Sequence, residues 1–360
     1  MKITLINACY NGFIKPYKRH QITSSYSLSP TVAALSGLAE VEVIDEALDR
    51  VAPYRANGDL VVIFTATPDA MRAYELADMY MRQGIHVVLA GLHPTAMTLE
   101  ALQHCNSVVR GEPERLWSGI LSDFREGQLK PLYCTVSDIL DNSDFYSIDE
   151  TVSKLICNGQ HLIELNTHAL NYERAYLFEL FKAMKHLSIH WTAESIISIA
   201  DDKVLLEAAI DAGLRKVIVG IEAPFDNILK PKQSIQQLRE LGLAVECRMI
   251  FGLDTHDNQI FDRTWSYVQE LGIDICHPTI LTPYPGTLIY DELEQEGRIL
   301  TKDWSQYDGE HTVFVPANMS PGELESGVYN FAFRNRSADE LIHKKEWKEK
   351  RFVSAMCVDF

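Results

Sequence analysis

Five apolar, strand-like stretches carry polar and ionisable groups that a hydrophobic core has no use for. In Leu162–Asn166 the two-residue period of a strand puts Glu164 and Asn166 on one face, with His168 just beyond. In Ile189–Glu194 it puts His190, Thr192 and Glu194 together. Glu222 closes the run Lys216–Glu222, Arg248 lies within Ala244–Gly252, and Cys276 and His277 lie within Asp274–Leu281. Carboxylates, a guanidinium and an imidazole gathered at strand carboxyl ends can serve as acid, base or substrate clamp, and they perturb one another's pKa. Glu194, Glu222, Arg248 and His277 are therefore the candidate catalytic residues. The competing reading of Arg248 and Glu222 is a buried ion pair with a structural role. Glu164, His168, His190 and His277 have the composition of a metal site, but no H-x-H or H-x-x-x-H spacing supports one, and no metal is expected.

The elements that must position these groups come in two series. Met1–Asn7, Val41–Ile44, Leu60–Phe64, His86–Ala90 and Ser107–Arg110 read as strands alternating with helices such as Asp69–Gln83, the pattern of a doubly wound parallel sheet. Ligands on such sheets lie at the strand carboxyl ends, so Thr65–Thr67, Gly91–Thr95 and Gly111–Glu114 are expected to share one rim. After a turn-rich linker, five strands interleave with helices at Asp149–Asn158, Glu173–His186, Lys203–Ala212, Ser234–Leu241 and Asp257–Glu270, the pattern of a parallel barrel or part-barrel. A helix at Pro321–Phe333 and a charged tail follow. Tyr284, in the turn Pro283-Tyr284-Pro285-Gly286, either packs on a ligand face or anchors its own loop.

The 360 residues carry a net charge of −17, which disfavours nucleic acid and anionic membranes as partners. No run is apolar enough to span a membrane, and the start lacks the features of a signal peptide, so the expected address is cytoplasmic. There is no G-x-S-x-G elbow, Walker loop or G-x-G-x-x-G. The seven cysteines are odd in number and widely spaced, and no C-x-x-C occurs.

The rim stretches Thr65-Ala66-Thr67, Gly91-Leu92-His93-Pro94-Thr95 and Val109-Arg110-Gly111-Glu112-Pro113-Glu114 resemble the cobalamin-binding domain of B12-dependent radical-SAM enzymes. The second half resembles the barrel of the same family at Trp191-Thr192-Ala193-Glu194, Gly220-Ile221-Glu222-Ala223, Ile250-Phe251-Gly252-Leu253 and Thr282-Pro283-Tyr284-Pro285-Gly286-Thr287. The match continues through Gly297-Arg298-Ile299, Trp304 and Tyr307-Asp308. The family carries C-x-x-x-C-x-x-C after its first barrel strand, holding a [4Fe–4S] cluster that chelates S-adenosylmethionine. Here Tyr146-Ser147-Ile148-Asp149 runs straight into the first barrel helix, so strand and loop are expected to be missing, and Cys134 and Cys157 cannot replace the ligand set.

The resemblance implies an α/β chain: a Rossmann-like domain of cobalamin-binding type at 1–130, a linker at 131–147, a partial radical-SAM-like (β/α) barrel without its first strand at 148–295, and an α-rich extension at 296–360. It implies a cobalamin site with Thr65, Thr67, Gly91, His93, Thr95, Gly111, Glu112 and Tyr284 as contacts. Gly91, Thr95 and Gly111 would let backbone approach the ring, and Thr65 and Thr67 would offer hydroxyls to the nucleotide tail. The alternative for His93 is a loop histidine satisfied by its neighbours. The signature D-x-H-x-x-G is absent, so the corrinoid is expected base-off with no protein histidine on cobalt. No [4Fe–4S] cluster is expected, and S-adenosylmethionine is expected to bind weakly or not at all. The expected activity is polar, cobalamin-assisted chemistry such as methyl transfer to a small molecule in a biosynthetic pathway. Two rivals stand beside it. One is a non-catalytic cobalamin- or tetrapyrrole-binding partner of an intact radical-SAM enzyme. The other is a cobalamin-free acid–base or metal enzyme using the barrel rim.

Overall fold

Leu60–Phe64 is buried at all five positions, as a strand covered on both faces must be. In the computed structural model it forms β3, near the middle of a six-stranded parallel sheet. The structure describes residues 1–9, 28–46, 58–135, 162–165, 174–187, 189–221, 229–273 and 275–343. The chain divides into two compact units. The first comprises Met1–Ser147 with Pro283–Gly297 and Thr301–Tyr307, and the second comprises Ile148–Thr282, Arg298–Leu300 and Asp308–Phe360.

In the first unit the elements run β1 (Lys2–Asn7), α1 (Ser29–Leu35), β2 (Glu40–Asp45), β3, α2 (Ala70–Arg82), β4 (His86–Ala90), α3 (Leu92–Ala96), α4 (Thr98–Ala101), β5 (Ser107–Arg110), α5 (Trp117–Arg125) and β6 (Leu132–Cys134). Strand order is β2-β1-β3-β4-β5-β6, all parallel, so the order reverses between β1 and β3. One face packs Ile3, Leu5, Val62, Phe64, Val88 and Ala90 against Trp117, Ile120 and Leu121 of α5. Two local expectations change. The loop expected at Gly91–Pro94 is helix α3, because Gly91 turns the chain so that Thr95 N–H can reach its carbonyl. The linker expected from 131 opens with β6, whose three residues are too few to display a period.

In the second unit the order is β7 (Leu162–Leu165), α6 (Arg174–Met184), β8 (His190–Ile196), α7 (Lys203–Asp211), β9 (Leu214–Gly220), α8 (Leu229–Glu240), β10 (Ala244–Phe251), α9 (Ile260–Leu271) and β11 (Cys276–Ile280). Among the described residues these strands make a five-stranded parallel sheet in sequential order. The helix expected at 149–158, Asn166, His168 and Glu222 lie outside the described residues. The sheet's two faces differ sharply. Trp191, Ala193, Val217, Val219, Cys247, Met249, Phe251 and Cys276 are buried, and Leu177, Leu180, Phe181 and Met184 of α6 and Leu205, Leu206 and Ala209 of α7 are buried at the spacing of an inward helix stripe. Trp191 also donates its indole N–H to the Ala212 carbonyl at 3.0 Å, and truncating such a residue costs about 3–5 kcal/mol. The other face carries the polar residues. The remaining helices are α10 (Leu288–Gln295), in the first unit, and α11 (Pro321–His343), which packs on β11 and runs ten residues beyond the expected end at Phe333.

Candidate functional site

Period-two alternation puts Thr192, Glu194, Lys216, Ile218, Gly220, Glu246, Arg248 and His277 on the polar face of the five-stranded sheet. Register decides which of them meet. Arg248 is aligned with Gly220 on β9, and Gly220 with Ile196 on β8. With no side chain at Gly220, the Arg248 guanidinium crosses β9 and pairs with Glu194 on β8. The alternative pairing of Arg248 with Glu222 falls on a residue outside the described ones; among the described residues Glu194 is the carboxylate that meets Arg248.

Glu246, one strand step before Arg248 on the same face, collects two partners. Lys216 Nζ lies 3.0 Å from Oε1, and His277 Nε2 lies 2.7 Å from Oε2. Burial pushes the Glu246 carboxyl up, but His277 and Lys216 outweigh it and hold it below the usual carboxylate range. Glu194, Arg248 and His277 are thus brought onto one face, with Lys216 and Glu246 added. Those two were missed at the sequence level, although Glu246 and Arg248 alternate visibly within Ala-Val-Glu-Cys-Arg. Glu164 is aligned with Thr192 across β7 and β8, and His190 opens β8 and is exposed.

The rim of the six-stranded sheet is held by its own small residues. Gly91 has φ +108°, and a Cβ there would come within 2.6 Å of the Thr65 carbonyl oxygen, so β3 and β4 can converge only over a glycine. Thr65 is buried, with its hydroxyl donating to the Ala66 carbonyl at 2.9 Å. Thr95 Oγ1 accepts from Gly111 N–H at 3.0 Å, and Thr135 Oγ1 accepts from Glu112 N–H at 3.3 Å, tying α3, β5 and β6 together.

His93 has 0% of its surface exposed. Its Nδ1 lies 3.3 Å from Thr67 Oγ1, its Nε2 lies 3.6 Å from Glu100 Oε1, and its ring meets Trp304 edge-on at 5.2 Å. Burial raises the Glu100 carboxyl, but the approach of His93 and the Trp304 N–H, 2.8 Å away, lowers it further than burial lifts it. Thr65, Thr67 and His93 are all buried beneath the rim, and His93 has the neighbour contacts of its alternative reading as a histidine satisfied within the protein. Thr95 and Glu112 stay accessible.

What the rim does present is apolar. Leu92 is 64% exposed, Leu99 82%, Leu288 81% and Tyr284 40%. In sequence they lie on either side of Ala96 and Gly286, which pack together so closely that a Cβ at 286 would sit 3.1 Å from the Ala96 methyl. The Thr287 hydroxyl donates to the Tyr284 carbonyl at 2.6 Å, holding the turn.

Among the described residues the thiols are dispersed. Cys247 and Cys276 are aligned neighbours on the buried, helix-covered side of their sheet, and burial with the adjacent Cys247 pushes the Cys276 thiol well up. In the first unit Cys105 is buried with its S–H on the Ala101 carbonyl, Cys134 is exposed at the end of β6, and Cys9 is half-buried. No three metal-binding side chains converge among the described residues. Cys157 and Cys357 lie outside them. No helix among the described residues is long and apolar enough to cross a membrane.

No protein-family model matches the chain. It is 23% identical over 350 residues to a bacteriochlorophyllide d C-12(1)-methyltransferase of Chlorobaculum tepidum, covering 79% of this chain and 76% of that one. It is 25% identical over 383 residues to the bacteriochlorophyllide d C-8(2)-methyltransferase of the same organism, covering 86% and 82%. Its fold is similar to that of the radical S-adenosylmethionine methyltransferase TsrM from Kitasatospora setae, solved with cobalamin and a [4Fe–4S] cluster bound, at TM-score 0.62 and 14% identity over 93% of this chain and 90% of that one. The chain is thus an α/β protein with the fold of a radical S-adenosylmethionine methyltransferase and with methyltransferases among its sequence relatives.

Proposed function

We propose that this chain is a cobalamin-binding enzyme of methyl-transfer type whose chemistry is polar and proceeds without a [4Fe–4S] cluster. The observation that carries the reading is a contrast between two faces of one sheet. The polar face assembles Glu194, Lys216, Glu246, Arg248 and His277 into paired charges, while the two thiols of that sheet are turned away into the helix-covered core. The absence of C-x-x-x-C-x-x-C in the sequence points the same way. Without a cluster the amino and carboxylate groups of S-adenosylmethionine lose their anchor. The two bacteriochlorophyllide methyltransferases support methyl transfer, and the likeness to a cobalamin-loaded fold supports the corrinoid. On this reading the domain of 1–130 is followed by a linker at 131–147 and a barrel from 148 that lacks its first strand, with Pro283–Gly297 and Thr301–Tyr307 belonging to the first unit.

The rim fits the macrocycle. Leu92, Leu99, Leu288 and Tyr284 would take its apolar face, with Thr95, Gly111 and Glu112 at its edge. The burial of His93 beneath the rim accords with a cobalt that receives no protein histidine. When bound, the corrinoid supplies a cobalt able to carry a methyl group. On the polar face Arg248, held by Glu194, orients an anionic or carbonyl-bearing acceptor, and His277, held by Glu246, stands beside it. Glu222, two residues past β9 in sequence and outside the described residues, joins this set as a proposed acceptor contact.

The test is a UV–visible titration of the purified protein with hydroxocobalamin, repeated after reduction, with iron assayed on the same sample. A saturating base-off spectrum in iron-free protein is the expected result. No spectral change in any cobalt oxidation state overturns the reading and leaves the polar face as the only site to pursue.

A further inference from the structure

Side chains from three adjacent strands meet at one carboxylate. Glu246 of β10 receives Lys216 from β9 on one oxygen and His277 from β11 on the other, at 3.0 and 2.7 Å. Arg248 of β10 and Glu194 of β8, also on this face, engage each other, while Glu164 of β7 and His190 of β8 share the face by strand register. Arg248 is the register neighbour of His277, so its departure towards Glu194 leaves the imidazole to Glu246 rather than beside a guanidinium.

Glu246 is held in its ionised form by His277 and Lys216 against the pull of burial. An ionised carboxylate only accepts hydrogen bonds, so the His277 nitrogen facing it must carry the proton. That nitrogen is Nε2, so in the neutral ring the lone pair lies on Nδ1. His277 is partly exposed, so Nδ1 belongs to an accessible imidazole.

We infer that His277 is the general base of this face, with Glu246 and Lys216 as positioning residues that fix its Nε2–H tautomer. The inference rests on the polar methyl transfer proposed above and names its acceptor class: a small molecule that gives up an N–H, O–H or acidic C–H proton as it is methylated. The electron pair of the acceptor's X–H bond stays with X, and an X–CH3 bond forms. The bond from the methyl group to its corrinoid-class donor breaks, leaving its pair on the donor. The proton passes to His277 Nδ1, where the imidazolium is stabilised against Glu246, and then to solvent. The same carboxylate would disfavour a neutral Nδ1–H form, so the geometry selects one tautomer for the task.

The test uses the full chain labelled with 15N-histidine. Long-range 1H–15N correlations at about pH 8 report tautomer and charge, with the His277 signals assigned by their loss in His277→Gln. The expected result is a neutral Nε2–H imidazole. In parallel, carbethoxylation of His277 by diethyl pyrocarbonate is followed by mass spectrometry. Glu246→Gln keeps a hydrogen-bond acceptor and loses the charge, so a packing role predicts no change, whereas the inference predicts a rate at least about threefold lower. Glu246→Asp, which retains the charge, should recover part of the rate and serves where Glu246→Gln fails to fold. An Nδ1–H tautomer, an imidazolium at that pH, or equal rates in wild type and Glu246→Gln overturns the inference. Failure of hydroxocobalamin binding would instead remove the corrinoid reading and leave these two readouts unchanged.

Discussion

Arg248 of β10 crosses over β9 to reach Glu194 of β8, and the residue in line with it on β9 is Gly220. An added Cβ at Gly220 meets no atom within 4 Å, so the backbone tolerates a side chain there and only the crossing is obstructed. Gly220→Leu should therefore fold and lose about 1–3 kcal/mol, because Glu194 is left largely buried without its cation. Arg248→Leu should cost a similar amount. The double variant should lose little more than either single one, as expected for two ways of breaking one contact. Urea denaturation of all three decides it, and additive losses would mean that Gly220 serves something else.

Glu246 imposes a pH dependence whose sign follows from its lowered pKa. A carboxyl with a folded pKa below its ordinary value of 4.5 contributes its stabilisation fully above that value. The contribution is lost as the pH falls through the lower folded value. Glu246→Gln should flatten the stability profile below pH 4.5 and lower the neutral plateau, which denaturant midpoints measured across the acid range will show.

Trp304 donates to Glu100 from 204 residues further along the chain. Replacing it with Phe keeps the ring and removes the donor from a half-buried carboxylate, a loss of about 1.5–3 kcal/mol. Trp304→Ala adds the cavity and should reach about 3–5 kcal/mol. Both are read by chemical denaturation. Trp304→Phe at wild-type stability would show that Glu100 is satisfied without the indole.

Thiol reactivity should separate the described cysteines. Cys134 is exposed and should be alkylated first by iodoacetamide at neutral pH. Cys9 is half-buried, and burial together with Asp69, Asp45 and Glu46 pushes its thiol up to about 12, so it should react far more slowly. Cys105, buried with a thiol likewise raised to about 12, should lag as well. Peptide mass spectrometry over time gives the order, and early labelling of Cys9 would contradict the acidic environment described for it.

The apolar rim can be tested with a charge. Leu99 is 82% exposed, so Leu99→Glu should leave stability within about 0.5 kcal/mol. It should weaken hydroxocobalamin binding about tenfold or more if that leucine lies under the macrocycle, because a carboxylate would then be desolvated. Unchanged affinity would move the corrinoid shelf away from α4.

The two series of parallel strands were legible because buried parallel strands read as continuous β-branched runs, and Leu60–Phe64 is such a run. The sharing of a face by Thr192 and Glu194 followed from the two-residue period alone, as did the placing of Arg248 and His277 in neighbouring strands. The charge pattern and the missing cysteine motif needed no coordinates, because both are properties of composition and spacing.

Partnership could not be read in the same way. A period tells which side of a strand a residue occupies, but the alignment between strands is set by packing along the whole sheet. Hence the contact of Arg248 with Glu194 across β9, and the roles of Lys216 and Glu246, became visible only when β8 to β11 were laid side by side. His93 looked like a rim residue while α3 was taken as a loop. Once Gly91 starts a helix there, the imidazole turns inward to Thr67, Glu100 and Trp304. Pro283–Gly297 and Thr301–Tyr307 belong with a sheet that ended some 150 residues earlier, as the contacts of Ala96 with Gly286 and Glu100 with Trp304 require. Side-chain identity and local period are encoded residue by residue; which charges neutralise one another depends on distances that exist only after the chain has closed on itself.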